Sequence, residues 1–264
     1  MTTLAVCAIF KDEGPNLIEW IAYHRIVGVD HFFLYDNESI DDGVSTLLSG
    51  PLKDYITIVP IAGRPAQLRA YQHFIDFHVS NWDWVAFIDL DEFIHPIEAG
   101  SIKDLLPRYE LYSGVLLHWL IFGPSGHDHR PEGLVIENYT HRVHEALYPN
   151  QHVKSLLKAA DLIGLLGTAH VFDTKGSMCN SRGEPAPRQP IQDCVCHDVM
   201  CLNHYYTKSR EDWDARLRKG RVDVPINRVD DPHYATFSEY ARLADVPDER
   251  ITRFSERIKS VLGS

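Results

Sequence analysis

At 264 residues, 44% of them hydrophobic, the chain has enough apolar material to bury a full core, which argues against disorder and fits one α/β domain with or without appended helices. Lys and Arg total 26 against 37 Asp and Glu; the net charge of -11 excludes broad electrostatic binding to nucleic acid or to an anionic membrane, so a phosphate-bearing ligand must be met by local cations. No apolar stretch approaches the ~18 residues of a spanning helix, and Leu4–Phe10 lacks the flanks of a signal peptide, which predicts a soluble, unexported protein.

In chain order, Leu4–Phe10 reads as a strand buried on both faces of a mainly parallel sheet. Pro15 suits a first helical position, Leu17, Ile18, Ile21 and Ile26 recur near helical spacing, and Gly28 can close the helix. Further strands are predicted at His31–Tyr35, Tyr55–Ile61 and Trp84–Ile88, with a helix from about Ala66 to Val79 before the last. Such βαβ units bind ligands at the carboxyl ends of their strands, where Lys11-Asp12-Glu13, Asp36-Asn37 and Asp89-Leu90-Asp91 stand. The second half is less regular: a strand at Gly114–Trp119, a Gly- and His-rich loop at Phe122–Gly133, a Pro/Gly-rich loop at Lys175–Pro190 and a strand at Met200–Asn203. Helices follow from about Ser209, Thr236 and Asp248.

Strand alternation sends Asp89 and Asp91 to one side, so both carboxylates can face one cation or a ribose-phosphate; Mg²⁺ and Mn²⁺ favour such oxygen ligands and share them with substrate phosphates. An isolated Asp-x-Asp is more often a solvated turn, but a strand end after βαβαβ reverses that preference. The same motif can also belong to a phosphohydrolase whose first Asp is the nucleophile, although it comes late in the chain for that and Phe93 stands where Thr or Val is expected. Lys208 to Arg221 holds six basic residues, directly after Asn203-His204-Tyr205-Tyr206, so an imidazole and phosphate-binding cations could close over a metal-nucleotide complex.

Read together, Ile9–Glu13, Glu19–His24, Gly28–Ser39 with Asp41, Trp84–Ile94, Phe122–Gly126, His204–Ser209 and Lys219–Arg221 resemble the glycosyltransferase 2-like and family 92 group, in order from about residue 4 to 221. That resemblance implies a GT-A fold over 1–225, with 226–264 as a helical extension packed on it. It further implies a hexosyltransferase using a nucleoside-diphosphate sugar, with UDP expected, Mn²⁺ or Mg²⁺ as cofactor, a glycan or glycolipid acceptor, and inversion at the anomeric carbon. Carried over by position, Asp12, Glu13, Asp36 and Asn37 line the nucleoside pocket with Arg64 and Gln67 nearby. Asp89 faces ribose or metal, Asp91 is the main metal ligand and His204 the second, and Lys208 and Arg221 hold the diphosphate. The expected compartment is the cytoplasm, with the inner membrane face as a peripheral placement.

The base that takes the acceptor proton is the thinnest assignment: Asp128, Glu132, Glu145 and His170 are candidates, with Asp128 and Glu132 preferred for their polar loop after a strand. Five cysteines, four of them between Cys179 and Cys201, speak against a disulfide framework. Cys194, Cys196, His197, Cys201 and His204 offer zinc ligands without the usual paired spacing, and His127-Asp128-His129 is more often surface polarity than a metal site. A catalytically idle sugar- or nucleotide-binding domain is the reading from another functional class.

Overall fold

The computed structural model describes residues 2–219 and 237–263. An extended segment has no hydrogen bonds of its own and satisfies its backbone in neighbouring strands, and Leu4–Phe10 forms β1 with all seven residues buried. Its side chains alternate between two cores: Leu4, Val6, Ala8 and Phe10 join Trp20 and Phe32 on one face, while Ala5, Cys7 and Ile9 join Tyr71, Phe74 and Phe87 on the other. The chain continues through α1 (Gly14–Ile26), β2 (His31–Asp36), α2 (Gly43–Ser49), β3 (Ile56–Pro60), α3 (Gln67–Phe77) and β4 (Trp84–Phe87). β1 pairs in parallel with β2 and β4, and β2 with β3, giving the spatial order β4-β1-β2-β3. The strand order reverses at β1, so a crevice opens beyond the carboxyl ends of β1 and β4.

After β4 the alternation stops. β5 (Glu92–Pro96), α4 (Ile102–Leu105), β6 (Gly114–Ile121), α5 (Val135–Asn138) and β7 (His141–Arg142) are followed by β8 (Val153–Lys158), which lies antiparallel between β4 and β6. β9 (Leu162–Leu165) and β10 (Phe172–Thr174) form a separate hairpin. β11 (Met178–Asn180) and β12 (Pro185–Ala186) extend the sheet where a loop is expected from Lys175–Pro190, because Met178 and Cys179 bury against β6. β13 (Met200–His204) runs parallel to β6 and antiparallel to β5, and α6 (Arg210–Lys219) follows. The expected mixed, mainly parallel sheet flanked by helices is what the chain forms.

The last described stretch holds α7 (Phe237–Leu243), β14 (Val246–Pro247) and α8 (Ser255–Leu262). It is not purely helical: β14 pairs with β7, and Asp248 N–H donates to Thr140 O at 2.7 Å. Ile251, Phe254 and Ile258 enter the core beneath α1, and the Arg253 guanidinium donates to the carbonyls of Ile97 and Ala99 at 3.1 and 2.9 Å. Among the described residues no helix is long and apolar enough to cross a membrane.

Candidate functional site

A cavity of about 460 Å³ lies at the crevice, lined by Asp12 and Glu13 after β1, Asp41 and Asp42 before α2, Asp91 after β4, Tyr205 to Lys208 after β13, and Arg216 and Lys219 of α6. Its acidic rim is braced by its own carboxylates: Asp12 accepts from Ile40 N–H at 2.7 Å and Asp41 accepts from Gly14 N–H at 2.8 Å, so each of the two loops ties down the other. Gly14 and Gly43 let those loops touch, since a Cβ on Gly43 would fall 2.5 Å from the Gly14 Cα. Asp36 and Asn37 shape the rim from behind. Asp36 accepts from Ser39 N–H, and the fully buried Asn37 donates to the carbonyls of Ile61 and Gly63; neither lines the cavity.

β4 ends at Phe87, and Asp89 to Asp91 form a turn in which Glu92 N–H donates to Asp89 O at 3.1 Å. Strand alternation therefore does not govern the two carboxylates, and they part. Asp89 accepts from Lys154 Nζ at 2.9 Å and from Gln67 Nε2 at 3.0 Å. Lys154, in the middle of β8, is 1% exposed and has Glu92 at 3.7 Å as a second carboxylate. Burial alone would depress its pKa, but Asp89 and Glu92 raise it, so the ammonium stays charged. Burial also pushes Glu92 well above the usual carboxylate range.

Asp91 turns the other way. The β13–β5 register sets His204 opposite Glu92, and Tyr205 N–H donates to Asp91 O at 2.8 Å, which brings His204 Nε2 to 3.4 Å from Asp91 Oδ2. Arg216 Nη1 pairs with the same Oδ2. Burial would raise the Asp91 pKa, yet Arg216 and His204 hold it well below the ordinary value; burial lowers that of His204, against the raising effect of Asp91. Among the described residues neither ring nitrogen of the buried His204 has a hydrogen-bond partner.

α6 is set over the cleft by its ends. Its first N–H groups donate to loop carbonyls, Arg210 to His127 O at 3.2 Å and Glu211 to Asp128 O at 3.0 Å, and Arg64 donates to Lys219 O at 2.8 Å at the other end. Asp212 takes Ser209 Oγ at 2.7 Å and Arg130 Nε at 2.8 Å. From this helix Lys219 pairs with Glu13; burial would raise the Glu13 pKa, but Lys219 and Lys208 outweigh it and hold the carboxyl below its usual value. Lys208, with φ +50, lines the cavity and has no ion-pair partner among the described residues.

Of the residues expected from sequence, Asp12, Glu13, Asp91 and Lys208 line the cavity, with His204 packed behind Asp91. Asp89 and Gln67 meet each other, tied to Lys154. Among the described residues no three His, Cys, Asp or Glu side chains gather as a metal site, so the Asp89–Asp91–His204 set narrows to Asp91 and His204, because Lys154 claims Asp89. Asp128 and Glu132 are exposed outside the cavity lining, and Arg221 lies outside the described residues. The cysteine cluster also disperses: Cys194 is exposed, Cys196 donates to Asp198 at 3.0 Å and Cys201 to Asn203 at 3.4 Å. Sequence reading missed Lys154, whose signal was a lone cation inside the apolar run Val153–Leu157, and gave Arg216 no place of its own in the basic cluster.

The model of a family described as glycosyltransferase family 92 matches residues 2–158, more than half of the chain. A glycosyltransferase family 92 protein of Oryza sativa subsp. japonica is 30% identical over 211 residues, covering 77% of this chain and 33% of its own length. One of Ricinus communis is 29% identical over 177 residues, covering 64% and 31%. The chain thus spans about a third of the length of these relatives. A crystal structure of S. aureus TarS 1-349 in complex with UDP-GlcNAc overlays with a TM-score of 0.40 at 13% identity, covering 64% of this chain and 51% of that one, too slight a likeness to bear on function.

Proposed function

The chain belongs to glycosyltransferase family 92, and from that premise we propose that it transfers a sugar from a nucleoside-diphosphate sugar, UDP being the expected nucleotide, to a glycan or glycolipid hydroxyl. The observation that carries this reading is one cavity with two kinds of wall: the ionised carboxylate of Asp91, with the His204 imidazole packed behind it, and the cations Lys208, Arg216 and Lys219. A divalent metal fits the Asp91 side, since an imidazole nitrogen with no hydrogen-bond partner among the described residues, 3.4 Å from a carboxylate oxygen, is a mixed N,O donor pair that suits Mn²⁺ better than Mg²⁺. Asp91 and His204 would hold it, and bound there it would neutralise charge on the departing diphosphate.

The chain's own groups supply the rest. Asp12 and Glu13, fixed by the braced loops, face the nucleoside side of the cavity. Lys208 has its ammonium available to the diphosphate without first breaking an ion pair to a described residue. Asp89, held between Lys154 and Gln67, keeps the 89–91 turn in place and so aims Asp91.

The test is a panel of nucleotide sugars offered with and without Mn²⁺ to wild type and to Asp91→Ala. Metal-dependent binding of one donor, with nucleoside diphosphate as product and both lost in the variant, is the expected result. Binding of no donor, or release of inorganic phosphate from simple monoesters, would overturn the proposal in favour of an idle binding domain or a phosphohydrolase.

A further inference from the structure

Arg216 and His204 approach the same oxygen of the same carboxylate: Arg216 Nη1 pairs with Asp91 Oδ2, and His204 Nε2 is 3.4 Å from it. A divalent cation held between Asp91 and His204 would place a second positive group on that oxygen, against a guanidinium already there. Arg216 is not locked by burial, since its side chain is 20% exposed, and it lies at the cavity wall with Nη1 3.2 Å from the Tyr206 carbonyl and its guanidinium carbon 4.8 Å from the Tyr206 ring centroid. Those contacts keep the guanidinium beside the cavity whether or not it touches Asp91.

Resting on the donor-site reading above, we propose that Arg216 is a diphosphate-binding residue that competes with the metal for Asp91: the metal takes the carboxylate and Arg216 moves onto the diphosphate that arrives with it. Charge supports the exchange. One carboxylate, one divalent cation and a doubly charged diphosphate sum to a single negative charge, and the guanidinium restores neutrality; without the diphosphate, metal and guanidinium together over-neutralise Asp91. The planar fork of Arg suits two diphosphate oxygens at once, which the point charge of Lys208 does not. Lys219 makes the parallel arrangement one turn further along α6, pairing with Glu13 at the same cavity.

The experiment measures two affinities in wild type and Arg216→Gln. One is for Mn²⁺ alone, read from the free-ion signal in electron paramagnetic resonance. The other is for whichever of UDP, GDP, dTDP or CDP the wild type binds most tightly, by calorimetry with saturating Mn²⁺. The variant is expected to bind Mn²⁺ alone about fivefold more tightly, its competitor gone, and the nucleoside diphosphate about tenfold more weakly. Arg216→Met, which keeps the stem against Tyr206, should show the same opposed pair of shifts, and Arg216→Lys smaller ones. Unchanged or weaker Mn²⁺ binding, or undiminished nucleotide binding, in a folded Gln or Met variant overturns the exchange while leaving the donor site standing. A wild type that binds neither Mn²⁺ nor any of the four nucleotides overturns the donor-site reading itself, and the exchange with it.

Discussion

Asp89 and Asp91 stand at the two ends of one turn and meet opposite surroundings. Asp89 is held by Lys154 and Gln67, a cation fixed in the sheet interior and an amide on a packed helix, and its partner is 1% exposed. Asp91 faces Arg216 on a helix whose cations border the cavity, and a histidine whose ring nitrogens have no hydrogen-bond partner among the described residues. A carboxylate neutralised by a buried lysine is committed to holding the fold, because leaving that lysine unpaired is costly. A carboxylate neutralised at a cavity wall can exchange its partner for a ligand. On the proposed function, two identical residues, two positions apart, divide the work of structure and of binding.

The largest effect that would break or sharpen this contrast is on the Asp91 side. Asp91→Ala is expected to lower the proposed sugar transfer by about 10³-fold, because the carboxylate proposed to hold the metal is lost, while the urea midpoint changes little, the side chain being at a cavity wall. A variant that fails to fold would put Asp91 in the structural class with Asp89. Next in size, Lys154→Met should destabilise the protein by about 3 kcal/mol in urea unfolding, since Asp89 loses the buried cation that neutralises it. Unaltered stability there would remove the distinction from the other side.

Glu19 supplies a third kind of buried carboxylate, with smaller consequences. Its oxygens accept from Val135 N–H at 2.7 Å and Ile136 N–H at 3.2 Å, tying α1 to the exit of the Phe122–Gly133 loop. Burial pushes its pKa up to about 7, against the lowering effect of those two hydrogen bonds. A carboxyl whose pKa is higher folded than unfolded binds more protons in the folded state, so its stabilising contribution is full below the ordinary Glu pKa and is lost as pH rises through about 7. Glu19→Gln cannot ionise and should gain about 2 kcal/mol relative to wild type between pH 5 and pH 8, measured by urea unfolding at the two pH values. A difference independent of pH would mean that Glu19 ionises normally in the fold.

The strands of the first ninety residues and the helices α1 and α3 were legible because each is a local pattern, whereas the short α2 (Gly43–Ser49) was not read. Leu4–Phe10 is an unbroken apolar run and forms a strand with the same bounds, and the helix opened by Pro15 ends just before Gly28. Met200–Asn203 was legible for the same reason, extending one residue to His204. β11 and β12 were hidden because Gly and Pro interrupt Lys175–Pro190, and pairing with the neighbouring β6 is what makes a strand of Met178–Asn180. The meeting of Asp91 with His204 was expected from the family resemblance, whereas the β13–β5 register is what produces it.

By itself the sequence determined what local pattern and composition can determine: a net-acidic chain, an α/β sheet with polar residues at its strand ends, and a late run of cations. The tertiary structure alone decided the partner of each charge. Lys154 reaches Asp89 because β8 inserts antiparallel between β4 and β6, and Arg216 reaches Asp91 because loop carbonyls and Arg64 set α6 across the cleft. Hydrophobic periodicity acts over a few neighbouring residues and is written in their order; which of several cations neutralises a carboxylate depends on a few ångströms of separation between residues 65 and 125 positions apart in the chain.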